Sequence, residues 1–243
     1  MRSPCILSFL GRRLHPHCDG EVLTLCRSER LPGTRIKHRM KGNWLKMYDK
    51  FGLVLRIETV INQPREFRVR RRCYRQGRAQ MLWRPMNKGV ANFYHYERVA
   101  RAANHRYRNA LAVVDAPSVT HRQLDRVSES VPFHGRPRRG LNLFRAQEQE
   151  LFRAVLSGGH ALNGFRNRDV AEVLYGPRPK AAAARRRQTQ RVSRLLQLLR
   201  AHSLIAKIPH SHRYRVAEKG MNIMSAAVHA RYKLMPRELD PVA

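Results

Sequence analysis

Charge limits this chain before any motif does: 49 Lys and Arg residues stand against 17 Asp and Glu, a formal net charge of +32 at pH 7 over 243 residues. A compact state with that imbalance repels itself and attracts polyanions, so a nucleic acid or an anionic membrane surface is the natural partner. Hydrophobic residues still make up 42% of the sequence, which is enough to build cores and lies outside the regime where charge alone keeps a chain unfolded. The expectation is one large or two small folded domains with basic surfaces.

Several classes drop out early. No apolar run approaches the ~18 residues needed to span a bilayer, so membrane insertion is not expected. Cys5 to Leu10 is broken at Gly11-Arg12-Arg13, too short for the ~7–15-residue core of a secretory signal, and cytoplasmic residence is the default. Cys5, Cys18, Cys26 and Cys73 form no C-x-x-C pair or regular framework and read as free thiols. His15, His17, Cys18 and Cys26 are all acceptable zinc ligands, but their spacing matches no standard finger. No phosphate-binding glycine loop is present either. No metal and no cofactor is expected.

The fold class expected is α+β: an N-terminal antiparallel meander with a long helix, then a compact C-terminal helical module. Residues 1–31 have no clear period, with only a helical suggestion at Glu21 to Cys26. Residues 34–40, 44–48 and 53–61 read as three strands separated by turn chemistry at Lys41-Gly42-Asn43 and Asp49 to Gly52. In the third, Leu53, Leu55, Ile57, Thr59 and Ile61 share one face, while Val54, Arg56, Glu58 and Val60 share the other. Phe67 to Cys73, with four arginines, reads as a charged edge strand. A helix from about Gly89 to Val113 would pack on the sheet through Val90, Phe93, Val99, Ala103, Tyr107, Ala110 and Leu111, and a shorter one capped by Ser118 or Thr120 runs through Val127. The domains expected are therefore an irregular segment 1–31, an α+β domain 32–131, a basic Pro/Gly linker 132–141, a helical domain 142–234 and a tail 235–243. The abrupt start of the meander is what a shortened form of a longer protein would give.

The C-terminal third has sharper punctuation. Asn142 can cap a helix with Phe144, Leu151, Phe152, Val155 and Leu156 inward, closed by Gly158-Gly159, and Asn167 can cap a second with Val170, Val173 and Leu174 inward, closed by Gly176-Pro177. A third runs from about Ala181 to His202 on Val192, Leu195, Leu196 and Leu199. Two short strands, 204–208 and 212–216, precede a last helix with Ile223, Met224, Ala227 and Val228 at core spacing. Between Glu172 and Glu218 there is no carboxylate, while Arg178, Lys180, Arg185, Arg186, Arg187, Arg191, Arg194, Arg200, Lys207, Arg213 and Arg215 all fall in that window. Solvated helix faces commonly mix signs for i, i+4 pairing, and this one does not.

Three helices, a hairpin and a closing helix is the element order of a winged helix-turn-helix. Ala201 to Lys207 resembles the junction of recognition helix and wing in MarR-type regulators, and Arg213 to Gly220 is similar to that family's second wing strand and the glycine of its next helix. The resemblance covers roughly residues 142 to 233. The chain as a whole resembles uncharacterised bacterial proteins that join an α+β region to such a module. On a helical wheel Arg186, Arg187, Gln190, Ser193, Arg194 and Gln197 lie away from the leucines, as base-reading candidates suited to guanine and adenine edges, and Arg191 is a further DNA-binding candidate on the same helix. Arg185, Lys207, Arg213 and Arg215 suit phosphates, which position without reading sequence. The function expected is duplex DNA binding, by a transcriptional regulator or mobile-element maintenance factor able to form a homodimer.

A second reading rests on Lys46-Met47-Tyr48-Asp49-Lys50 followed by Leu55-Arg56-Ile57-Glu58, which resembles a segment of some rolling-circle replication initiators. That likeness implies a metal-dependent nicking enzyme with Tyr48 as nucleophile and Asp49 or Glu58 as metal ligands. Against it stands a purely structural role, with Trp44 and Tyr48 packing on the sheet and Arg56 and Glu58 forming an ion pair.

Overall fold

A computed structural model describes residues 22–27, 35–50, 54–75, 77–114 and 119–234; they are mixed α+β, with antiparallel sheets and seven helices among the described residues. They fall into two units, one of the described residues between 13 and 108 together with 161–163, the other of those between 109 and 160 and from 164 onward. No helix among the described residues is long and apolar enough to cross a membrane.

The first unit is built on a four-stranded meander, β1 (Val22–Arg27), β2 (Arg35–Met40), β3 (Asn43–Lys50) and β4 (Val54–Val60), paired in that order. The turn between β2 and β3 puts Lys41 at φ 50° and Gly42 at φ 75°, the two positive φ values that a twist-matched two-residue hairpin requires. Alternation then sends Ile36, Met40, Leu45 and Met47 inward, each at most 2% exposed. Helix α1 (Phe93–Val114) covers that face: the Tyr107 hydroxyl lies 2.8 Å from His38 Nε2, and Thr59 Oγ1 donates to Asn104 Oδ1 at 2.8 Å. On the opposite face Arg35 stacks over Tyr48 at 5.6 Å and Arg39 over Trp44 at 5.7 Å.

Four expectations are corrected in this unit. The helical suggestion at 21–26 gives way to strand β1, because pairing with β2 along Val22↔Met40 to Arg27↔Arg35 overrides a weak local preference. Val90 and Phe93 are 90% and 71% exposed, so the buried stripe of α1 begins further along, with Ala103, Tyr107 and Ala110 at its centre. Leu55 is 52% exposed near the start of β4, where its cross-strand neighbour is Asp49 and not an apolar residue. The charged strand expected at 67–73 is one half of a separate hairpin, β5 (Arg68–Arg75) with β6 (Arg78–Pro85), and not an edge of the meander.

The second unit takes in the end of α1 from residue 109 and continues with α2 (His121–Ser128), whose Thr120 backbone N–H is capped by Gln123 Oε1 at 2.9 Å. The stretch expected to be a linker instead forms a small hairpin, β7 (Val131–Phe133) and β8 (Arg136–Arg138), because His134 and Gly135 adopt φ 51° and 72° and close a tight turn. Then follow α3 (Ala146–Val155), the one-turn α4 (His160–Asn163), whose residues 161–163 belong to the first unit, α5 (Asn167–Tyr175), α6 (Ala182–Ala201), strands β9 (Ile205–Lys207) and β10 (Tyr214–Val216), and α7 (Glu218–His229).

Its core joins α3, α5, α6 and α7 through Leu151, Phe152, Val155, Val170, Val192, Leu196, Leu199, Ile223, Met224 and Val228, none more than 1% exposed. The buried Gln149 amide ties the ends of this core together, donating to Leu143 O at 2.6 Å and Ala227 O at 3.0 Å. Phe144 and Val173, both expected inside, are 42% and 46% exposed. Phe144 precedes the first turn of α3, where Asn142 Oδ1 accepts from the Phe144 and Arg145 N–H groups and turns the chain outward.

Candidate nucleic-acid interface

Helix α6 is oriented by its apolar positions. Val192, Leu196 and Leu199 occupy i, i+4 and i+7 and are buried, so the opposite arc must face solvent. Arg186, Arg187, Gln190, Arg191, Arg194 and Gln197 are all exposed there. At 1.5 Å per residue this 20-residue helix is about 30 Å long, and its outward arc carries no carboxylate.

The candidates do not share one environment. Arg186, Arg187, Gln190 and Arg194 form the open part of the arc. Arg191 stacks over the Tyr175 ring at 5.3 Å, which places its guanidinium near the end of α5. Ser193 is half-buried and accepts a hydrogen bond from Asn167 Nδ2 at 2.9 Å, a contact that joins α5 to α6. Gln197 accepts from Arg138 Nη2 at 3.3 Å, bringing β8 to the same arc. Arg185 is half-buried at the start of the helix. Arg138 and Tyr175 were outside the sequence-based set, because neither carries a signal until β8 and the end of α5 are placed beside α6.

Strands β9 and β10 form the adjoining hairpin, and Phe165 extends it to a third strand position: Phe165 N–H donates to Tyr214 O at 2.9 Å, and Tyr214 N–H to Phe165 O at 2.7 Å. Lys207 is exposed. Arg215 is half-buried, and burial pushes its guanidinium below the usual value while leaving it charged at neutral pH. Arg213 is a correction: expected on the outer surface of the hairpin, it is 4% exposed. Its N–H bonds Ser211 Oγ and its carbonyl accepts from Ile208 N–H, so the turn draws this residue inward. At the tip His210 adopts φ 54° and His212 is exposed.

Two histidines of this unit are buried, His160 at 4% and His202 at 3% exposed. His160 Nδ1 donates to Val155 O at 3.0 Å and His202 Nε2 to Arg139 O at 3.0 Å. Burial holds both below their ordinary value of 6.5, and Lys219 and Arg139 push His202 the same way. Glu148, 1% exposed, accepts from Arg139 at 2.6 Å and so neutralises a cation behind the interface.

The residues of the nicking reading do not converge. Glu58 is ion-paired to Arg56 and lies opposite Lys46, on the same face as Tyr48; Asp49, one residue on from Tyr48, points to the other face. Among the described residues no group of three or more His, Cys, Asp or Glu could hold a metal ion. His15, His17 and Cys18 of the considered zinc set lie outside the described residues. Comparison with family models, curated proteins and solved structures returned no match for this chain.

Proposed function

We propose that the second unit is a winged helix-turn-helix module that binds duplex DNA, with α6 in the major groove and the β9–β10 hairpin against the backbone. The observation that carries this reading is the open arc Arg186, Arg187, Gln190 and Arg194 on a helix packed against α5 and followed by a hairpin. Arginine matches guanine O6 and N7, and glutamine matches adenine N6 and N7, in a groove about as wide as a helix. The Phe165–Tyr214 bridge supports it further, because a three-stranded wing is what a helix, bridge, helix, helix, hairpin, helix order builds. Lys207 and Arg215 serve phosphates in this arrangement, and Arg213 serves the packing of the wing. The biological role consistent with such a module is transcriptional regulation or maintenance of a mobile element.

Selection from a randomised duplex pool followed by titration at several salt concentrations tests the reading. Replacement of Arg187 or Arg194 by Ala is expected to cost about 1–3 kcal/mol of affinity and to relax preference at one base position. Unchanged affinity and preference in both variants would remove α6 from the groove.

A further inference from the structure

The first unit carries a cationic element that the proposed module leaves unused. Strands β5 and β6 pair along their whole length, from Arg68↔Pro85 to Arg75↔Arg78, in a sheet that no other strand among the described residues joins. A lone hairpin is marginal in water, and this one is held at its root, where Phe67, Val69 and Met86 are at most 3% exposed and Met86 N–H donates to Phe67 O at 2.9 Å. Beyond the root it lies in solvent. Arg70, Arg72, Arg75 and Arg78 are exposed, with Tyr74 at 74% and Met81 at 51%.

Arg68, Arg70, Arg71, Arg72, Arg75, Arg78 and Arg84 all lie on this hairpin, which contains no Asp or Glu. None of the ion pairs among the described residues takes Arg70, Arg72, Arg75 or Arg78. Charge alone can protect an exposed strand from aggregation, but that purpose is served by a few charges of either sign and leaves Met81 in water unexplained, as well as the exposed pair in which the Arg72 guanidinium lies over the Tyr74 ring at 6.0 Å. The register places Arg72 opposite Met81 and Tyr74 opposite Ala79, so one face alternates cations with apolar groups. On the other face Val69 is buried and Arg71, Cys73 and Leu82 are half-buried. Like charges at this density raise the energy of the ribbon until an anion lies along it.

We propose that the β5–β6 ribbon enters the major groove of duplex DNA. Two strands about 4.8 Å apart, with side chains on both faces, match a groove about 12 Å wide and are too thick for the minor groove of about 6 Å. Eight residues per strand reach about 26 Å at 3.3 Å each. Arg70 and Arg72 face guanine edges, Met81 and Ala79 face thymine methyls, and Arg75 and Arg78 flank the tip and engage phosphates. The inference does not rest on the α6 reading, and the two can fail separately.

The test uses the full chain and a mixed-sequence duplex. Replacing Arg70, Arg72, Arg75 and Arg78 together by Gln is expected to make the log K against log salt slope shallower by about 2–4, and to weaken binding roughly 10²–10³-fold near physiological salt. Tyr74→Ala should keep the slope and lower discrimination among sequences. An unchanged slope in the fourfold variant overturns the ribbon proposal whatever the α6 variants do. A loss confined to single-stranded DNA or RNA, with duplex binding intact, overturns it as well. A measurement on the unaltered protein covers the case in which the fourfold variant does not fold: duplex DNA should protect the same four arginines from an arginine-modifying dicarbonyl, and undiminished modification would refute the proposal.

Discussion

His160 and His202 tie the stability of the second unit to pH through burial. Both imidazoles are held neutral, with folded pKa values lowered from 6.5, chiefly by desolvation. Below 6.5 the unfolded chain therefore takes up protons that the folded unit resists, so their contribution is complete above 6.5 and is lost as pH falls through the folded values. Asp169 opposes the shift at His160, whereas Lys219 and Arg139 reinforce burial at His202. The unfolding midpoint should be level above about pH 7 and fall as pH drops below 6.5, where only the unfolded chain protonates these imidazoles. His202→Gln, which retains a donor toward Arg139 O, should make that fall shallower, and a midpoint that rises on acidification would contradict the assignment. These two residues show what sequence leaves hidden at this scale. Both stand in the sequence as ordinary histidines, and only folding places a carbonyl 3.0 Å from each. Arg213 is the same case in reverse, since a three-residue strand is too short for alternation to say which of its neighbours turns in.

At the scale of elements, the close contact between the β9 entry and α7 rests on one glycine. A Cβ at Gly220 would lie 1.9 Å from Leu204 O, the carbonyl that also accepts from Ala217 N–H at 3.0 Å. Gly220→Ala should destabilise the unit by about 1–3 kcal/mol through overpacking, despite the better helix propensity of Ala; chemical denaturation of the variant measures this, and an unchanged midpoint would mean that α7 shifts freely. Gly220 was legible as the glycine of the last helix, and so were strands β2, β3 and β4, α6 and the core positions Ile223, Met224, Ala227 and Val228, because each combines a clear period with a turn or cap signal. Less was legible where signals conflict. Residues 22–27 have a mixed pattern that only a neighbouring strand resolves, and residues 132–141 look like a linker by composition yet close as a hairpin. The candidate interface was legible as a charge-free-of-acid face on a helix. Its furnishing by Tyr175 and Arg138 was not, since those contacts cross from other elements. The β5–β6 ribbon had the most conspicuous charge and the least informative period, so it read as protection for an edge.

For the molecule as a whole, the net charge of +32 predicts two opposite responses to salt. The folded chain concentrates like charges, so screening should raise its unfolding midpoint as salt increases from about 20 to 300 mM, a range over which the Debye length falls from roughly 20 to 6 Å. On the proposed reading duplex DNA should do the same work more strongly at low salt, because a ligand bound only by the folded state adds RT ln(1 + [L]/Kd), about 2.7 kcal/mol at a hundredfold excess over Kd. That increment must shrink as salt rises, since counterion release weakens binding linearly in log salt. Melting curves with and without a duplex should therefore converge with increasing salt, the free protein rising and the complex falling toward it. Replacing the α6 arginines should lower the curve of the complex and leave the direction of the free protein's response unchanged. Parallel curves, with a DNA increment that ignores salt, would show that the excess positive charge is not what holds the nucleic acid, and would count against both cationic surfaces at once.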